Sequence, residues 1–408
     1  MVKEKRTGQK SRRPSPPPQR LTVPGGWHRF PRMQTLATRI LVAGLVALMA
    51  PAAAHGARVE RLYTAEVDRT DLALVEPAAA RGDKRAEGRN ERELRRALMG
   101  AALGRVLVRL AGTSQVAQDP LVRERLIDRA PSLVNRFQYL SRRGPDGPRI
   151  RVHFTAESVR EGLWQTGWPV WGPYRPGVVV WVAQRGNGGL ELVSPDSRPR
   201  VFEALRGAAE REGLPLLVPL MDGTDRRRLA ARDLLFEDWA AIRKASARYD
   251  PDVVLLLRLN PQGGDGPRAE WVLREGETST AFATGGADVA EAVGAGLRGV
   301  LVRLACHYAV YPGEAVAMQA VVSGIPGLDA YARVERGLGQ LAAIEGVTPL
   351  RVAGDEARFR FAFQGRATEA AHILGLLDLL EPAGRIVAES GDGGGAPDEP
   401  RLQFSYRP

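Results

Sequence analysis

The sequence predicts a chain of mixed α/β and α+β class: a central, mostly parallel α/β unit flanked by two split βαβ (ferredoxin-like) units. Three observations carry that reading. Strand-like and helix-like periodicities alternate between residues 178 and 307, as they do where helices connect parallel strands. The stretches on either side each run strand, helix, two strands about a turn, and a second helix, which is the order of a split βαβ unit. The composition, 44% apolar and 26% charged over 408 residues, suits a globular chain with room for two or three domains.

From the beginning, residues 1–32 are rich in Arg, Lys and Pro, lack apolar periodicity, and read as a dispensable extension. A basic Arg39, the apolar run 40–50 and the small-residue stretch 52–57 make the three parts of a signal peptide over 33–56, cleaved after Ala54 or Gly56. The run is too short to span a bilayer, which takes about 20 residues. Met33 is then a better initiator than Met1. No Cys stands near the cleavage site, so there is no lipid anchor, and any place at the membrane is peripheral. The net charge of +11 also belongs here. Residues 1–57 hold ten Lys or Arg and one Glu, leaving 48 bases against 46 acids, so the body has no charge excess for nucleic acid.

Residues 57–177 open with an alternating strand over 61–67 and a polar, Ala-rich loop over 71–88. Asn90 with Glu93 forms a capping-box pattern. Leu94, Leu98, Ala102, Val106 and Leu110 then recur every four residues until Gly112 stops the helix. A short helix over 119–128 starts at Asp119-Pro120. Strands over 134–142 and 149–155 flank a turn at 144–147, and a helix covers 156–166.

In the unit 178–311, a buried strand at 178–183 precedes a helix over 200–212, a strand over 214–221, helices near 226–248 and a strand over 252–260. Two further strands, 269–275 and 278–284, meet at a turn. A helix over 288–307 begins with the capping pair Asp288 and Glu291. The unit 312–408 repeats the split pattern. A strand over 315–322 is followed by a helix with Leu328, Tyr331, Val334, Leu338 and Leu341 on one face. Strands over 348–352 and 358–363 pair about Gly354-Asp355, and a helix covers 368–380. The last strand is either 385–388 or 402–406, beyond the Gly-rich loop 391–395. One echo is specific: Val106-Leu-Val-Arg-Leu-Ala111 recurs at 300–305, with Gly100, Ala101 and Leu103 matched by Gly294, Ala295 and Leu297. It marks two amphipathic helices of similar composition, or two helices filling one packing role.

Chemistry is sparse. A lone Cys306 excludes an intramolecular disulfide, a Cys zinc site and an iron–sulfur cluster, and reads as a small buried hydrophobe. His153, His307 and His372 are scattered singly and read as structural, so no metal is expected. No nucleophile elbow, zincin motif, phosphate loop or EF-hand occurs, and the chain is read as non-enzymatic and without a cofactor. Gly186-Asn-Gly-Gly189 reads as a hairpin turn, and Ser323–Gly327 as a turn with Asp329 near a cap. Two polar constellations remain as binding candidates. Trp168, Trp171 and Arg175, in the Trp-rich segment 164–181, either form a stacking surface for a partner or sugar-like ligand or seal the gap between the first two units, with Arg175 on carbonyls. A hydrophobic strand ends in Asp222 and Asp225 begins the next helix, at the carboxyl end of a strand where open α/β sheets bind ligands, unless Asp225 is a plain helix cap.

Tyr63-Thr-Ala-Glu-Val67, the helix end at 105–112, Pro169-Val-Trp171-Gly, Arg175-Pro176, Val180-Trp181, the stretch 213–222 and the stretch 247–254 go together. On these pieces the chain resembles the bacterial envelope family known as domain of unknown function 2066, over most of residues 60–310. The family has an acidic residue soon after Met-Asp, where this chain reads Gly223-Thr224 before Asp225. The resemblance implies an envelope setting and brings no established activity. The expectation is therefore a periplasmic protein that binds another envelope protein in an assembly or regulatory role. The alternative is a small-molecule or glycan-binding protein that uses the Trp-rich segment.

Overall fold

The computed structural model describes residues 57–76, 90–141, 147–186, 188–341, 343–383 and 399–408. The extension 1–32, the signal peptide 33–56, most of the loop 71–88, turn residues 144–146, the candidate strand 385–388 and the loop 391–395 lie outside the described residues.

Strand β1 (Ala57–Arg58) leads through a turn to β2 (Thr64–Val67). The turn shortens the strand expected over 61–67, because the Thr64 N–H bonds back to the Arg61 carbonyl at 3.1 Å. Helix α1 (Glu91–Ala111) starts at Asn90, whose side chain accepts from the amides of Arg92 and Glu93 while Glu93 returns to the Asn90 amide. It ends at Gly112, whose φ of 74° is the left-handed conformation glycine tolerates. The expected Leu94-to-Leu110 stripe is buried along its length. The helix expected over 119–128 is one turn, Pro120–Val122, continued as a π-helical turn, Arg123–Ile127. Then come β3 (Val134–Ser141), β4 (Arg149–Phe154), α2 (Ala156–Trp164) and β5 (Tyr174–Arg175). The sheet order is β2-β4-β3, antiparallel throughout, and β5 pairs with β1.

The next strand, β6 (Val178–Gly186), is buried on both faces over 178–183, which is why it reads as an unbroken apolar run. It turns at Gly186 and Gly189, which face each other across the hairpin, into β7 (Gly189–Leu192). There follow α3 (Pro199–Glu212), β8 (Leu216–Leu217), α4 (Gly223–Arg228), α5 (Ala231–Leu235), α6 (Trp239–Ser246), β9 (Val253–Asn260), β10 (Arg268–Glu275), β11 (Thr278–Gly285) and α7 (Val289–Tyr308). The expectation of a mostly parallel sheet is corrected here. In the order β11-β10-β9-β6-β7, β6 is parallel to β9 and to the short β8, whereas β7, β10 and β11 join antiparallel. Their connections are hairpins, and a parallel neighbour needs a crossover of about a dozen residues or more. The strand expected over 214–221 shrinks to β8, because Pro215 and Pro219 have no N–H for the ladder. Val178, Val180 and Val182 share a core with α1, α3, α7 and the buried residues of β2 and β4. Val179, Trp181 and Ala183 pack on the opposite face against Leu229, Leu234 and Ile242 of the α4–α6 layer. Cys306 is exposed, contrary to the buried reading: Leu304, Ala305 and Tyr308 take the inward face of α7 and turn it out.

The C-terminal stretch folds as β12 (Ala315–Ser323), α8 (Leu328–Gly339), β13 (Ile344–Ala353), β14 (Glu356–Gln364), α9 (Ala367–Leu374), β15 (Leu380–Pro382) and β16 (Arg401–Tyr406). The strand order is β13-β14-β12-β16-β15, with β16 parallel to β12 and β15 antiparallel on the outside. Helix α9 stops short of the expected 380, and the chain crosses to β15 with Leu376, Leu377 and Leu380 buried. Phe359, Phe361 and Phe363 alternate inward from β14 onto Val334 and Leu338 of α8 in a core of their own. Val170 and Val310 exchange backbone hydrogen bonds of 2.8 and 3.0 Å, and Tyr174 Oη donates to Gln340 Oε1 at 2.8 Å, which ties this core to the rest.

Candidate functional site

The Trp-rich segment lies inside the molecule. Trp171 is 1% exposed and stacks on Tyr308, with ring centres 6.0 Å apart and planes 11° apart. The Arg175 guanidinium sits 4.1 Å from the same ring's centre. Arg175 is fully buried and donates to four carbonyls: Arg109 (2.5 Å), Gly213 (3.1 Å), Gly172 (3.4 Å) and Glu212 (3.4 Å). Three of these lie at the C-terminal ends of α1 and α3, where unpaired carbonyls and the negative ends of two helix dipoles favour a cation. Burial, and then the neighbouring Arg109, push the Arg175 pKa down to about 9, which leaves it cationic at neutral pH. Trp168 is half-buried and donates from Nε1 to Asp119 Oδ2 at 3.1 Å. Trp171 and Arg175 therefore present no face to a ligand.

The two aspartates come together, but in roles different from those expected. Asp222, not Asp225, caps α4, accepting from the amides of Thr224 (2.9 Å) and Asp225 (3.0 Å). Asp225 falls one turn further in and is completely enclosed. One of its oxygens takes Arg248 at 3.1 Å and the other takes the Tyr249 hydroxyl at 2.6 Å. Arg248 also bonds Asp222, and Tyr249 accepts the Leu220 amide. Burial, and then the Asp225 bond, hold the Tyr249 pKa well above its ordinary value, so the phenol stays a donor. With both Asp225 oxygens engaged, the cluster fastens the loop 218–222 to α6 and the turn that follows it. Met221 at the bend has φ of 53°, a strained conformation for a residue with a side chain.

A cleft of about 740 Å³ lies beside the three-stranded sheet. Arg58 and Arg61 enter it from the chain around β1 and β2, Arg105 and Arg109 from α1, Arg149 and Arg151 from β4, and Arg211 from the end of α3. Four carboxylates share it: Glu66, Asp68, Asp71 and Glu210. Arg149 (3.0 Å) and Arg151 (2.8 Å) grip Glu66 from two sides, and Arg105 holds Asp71 with two bonds of 2.6 and 2.9 Å. Arg109 forms the floor, donating to the carbonyls of Thr64 (2.6 Å), Arg211 (2.7 Å) and Arg61 (3.3 Å). Burial lowers its pKa to about 10, with Glu212 opposing. Among the described residues no carboxylate lies within ion-pair distance of Arg58, Arg61 or Arg211. Such guanidiniums can take a carboxylate or phosphate in two parallel hydrogen bonds. A second groove, of about 810 Å³, holds Arg92, Arg95, Arg96 and Arg136, but it opens at Asn90, where the described residues break off.

The cleft escaped the sequence reading because its arginines come from four separate stretches. Two signals were present: Arg105 and Arg109 stand one turn apart on an otherwise apolar helix end, and Arg149, Arg151 and His153 alternate along one face of β4. His153 accepts from or donates to Thr64 Oγ1 at 3.0 Å on that open face. Its own burial, and then Arg136, Arg151 and Arg61, hold its pKa below the ordinary value. Among the described residues no group of His, Cys, Asp and Glu could hold a metal ion, and no helix is long and apolar enough to cross a membrane.

Residues 83–172, from just before α1 to Gly172, match a family described as a domain of unknown function (DUF8605). This is a different family from domain of unknown function 2066, and the earlier resemblance is corrected accordingly. Some of the pieces that suggested it, such as the end of α1 and Val180-Trp181 of β6, are an apolar helix end and a buried strand, which α/β cores of many kinds require. No curated protein and no solved structure matches the chain.

Proposed function

We propose that the protein is an exported, non-enzymatic periplasmic protein that holds another envelope component in its Arg-lined cleft, in an assembly or regulatory role. The observation that carries this reading is the set of cations, Arg58, Arg61 and Arg211, which among the described residues have no carboxylate partner in a cleft where Arg105, Arg149 and Arg151 do. The charge pattern around the apolar run 40–50 supports export. In the same reading, residues 57–177 and 312–408 are two variants of the split βαβ arrangement, the first without a fourth strand and the second with β16 inserted parallel to β12 and β15 outside it.

The test is recovery of partners from envelope extract by the wild-type protein and by the double variant Arg58→Glu, Arg61→Glu. The wild type should retain a component that the variant loses while melting at the same temperature. Equal recovery by both would remove the cleft from the function. N-terminal sequencing of the exported form should give a start at His55 or Ala57.

A further inference from the structure

Resting on that reading, we infer that the occupant of the cleft is an extended, acidic segment of a partner polypeptide. The unpaired cations come from separate elements, Arg58 and Arg61 from the chain around β1 and β2 and Arg211 from the end of α3, so successive carboxylates along one chain can meet them in turn. Strand β2 is an edge strand of the three-stranded sheet. The Phe154 amide bonds the Tyr63 carbonyl, so alternate residues of β2 turn toward β4 and the backbone groups of Glu66 point away from it. A split βαβ unit would place its fourth strand along this edge; here Arg109 occupies part of that place by taking the Thr64 carbonyl. An extended segment fits what remains, and main-chain pairing at an open edge is a recurrent way to hold one.

The lining also discriminates among anions. Among the described residues no aromatic ring lines the cleft, and rings are what sugars and unpaired bases stack on. The four carboxylates among the described lining residues interrupt the row of cations, which suits anions spaced along a chain better than a continuous polyphosphate, and they accept hydrogen bonds from peptide N–H and hydroxyl groups. Val59, Leu214 and Pro215 supply apolar contact for intervening side chains. An acidic peptide satisfies all three features together.

The experiment is fluorescence anisotropy with a short labelled peptide alternating Glu and Ser, its Gln-for-Glu counterpart, inorganic polyphosphate and an acidic glycan. The acidic peptide should bind and the Gln counterpart should not. Raising the salt from about 50 mM to about 500 mM should weaken binding, because it shortens the Debye length. Arg58→Glu with Arg61→Glu, or Arg211→Glu, should weaken it about tenfold or more, since like charges then face the peptide. Arg336→Glu, on α8, should leave it unchanged. Equal binding of the acidic and Gln peptides overturns the inference, and that comparison needs no variant to fold. Polyphosphate or glycan binding that the reversals abolish, without peptide binding, overturns the inference and leaves the proposed function standing. Binding of none of the probes, with envelope recovery unaffected by the reversals, overturns both.

Discussion

A guanidinium with no carboxylate partner is held in the core by main-chain oxygens and the Trp171 ring, and this arrangement makes Arg175 hard to replace. Its four carbonyls come from Gly172 and from the ends of two helices. In Arg175→Met these acceptors lose their donor without gaining water, at a cost on the order of 3 kcal/mol by urea denaturation. Trp171→Ala should cost roughly 3–5 kcal/mol, as large core truncations do. A stable Trp171→Ala protein would contradict the enclosed environment against Tyr308 and Arg175. His153 makes a different prediction. Its folded pKa lies below the ordinary value of about 6.5, so the unfolded chain binds the proton more readily. Its contribution is fully present above that pH and is lost as the pH falls through it. Between pH 8 and pH 5 the melting temperature of the wild type should therefore fall further than that of His153→Gln. An equal fall would show that Arg61, Arg136 and Arg151 do not act on this ring.

At the scale of elements, the two helices that share a motif meet in the fold. Gly112, which closes α1, lies so near α7 that a Cβ there would stand 2.0 Å from the Ala305 Cβ. Within α7, a Cβ on Gly296 would stand 2.1 Å from the Trp271 ring. Gly296→Ala must push α7 off the central sheet, and overpacking of this kind costs about 1–3 kcal/mol. In an exposed helix the same change would stabilise. A more stable Gly296→Ala protein would show that α7 can move outward freely. Leu98→Ala and Leu301→Ala, each 1% exposed, should cost about 2–5 kcal/mol. These helices were legible because every-fourth-residue periodicity and capping boxes are local signals. Sheet direction was less so, because it depends on whether a connection crosses over, and the alternation of types alone does not say. The Leu214–Met221 run misled for a further reason: its apolar residues suit a strand, but its two prolines cannot pair. Least legible was the cleft, since side chains from positions 58 to 211 converge only once α1, α3 and the three-stranded sheet have packed.

At the scale of the molecule, the described residues bury three apolar cores, and besides the one between the central sheet and α4–α6 two are joined to each other through few contacts. The first runs from β2 and α1 through the inner face of the central sheet to α7 and also takes in Leu376. The second is confined to Val310–Tyr406. Between them stand a mutual backbone pair at Val170 and Val310, the Tyr174–Gln340 bond, and Trp164 and Tyr174, which pack on both cores. An ion pair of 3.0 Å between Arg407 and Asp250 adds little, since both side chains are largely exposed. Regions joined by few buried contacts open separately, at a free energy below that of global unfolding. Native-state hydrogen exchange should therefore divide the amides into two groups. Those of α1, β6, β9 and α7 should exchange together and at the highest opening free energy, while those of β12, β14 and β16 should exchange in a separate, lower-energy opening. Tyr174→Ala removes a ring shared by both cores, so it should lower the second opening more than the first. If both groups of amides instead exchanged through one event, with Tyr174→Ala shifting them equally, Trp164, Tyr174 and the Val170–Val310 pair would have to couple the two cores as strongly as either is packed within itself.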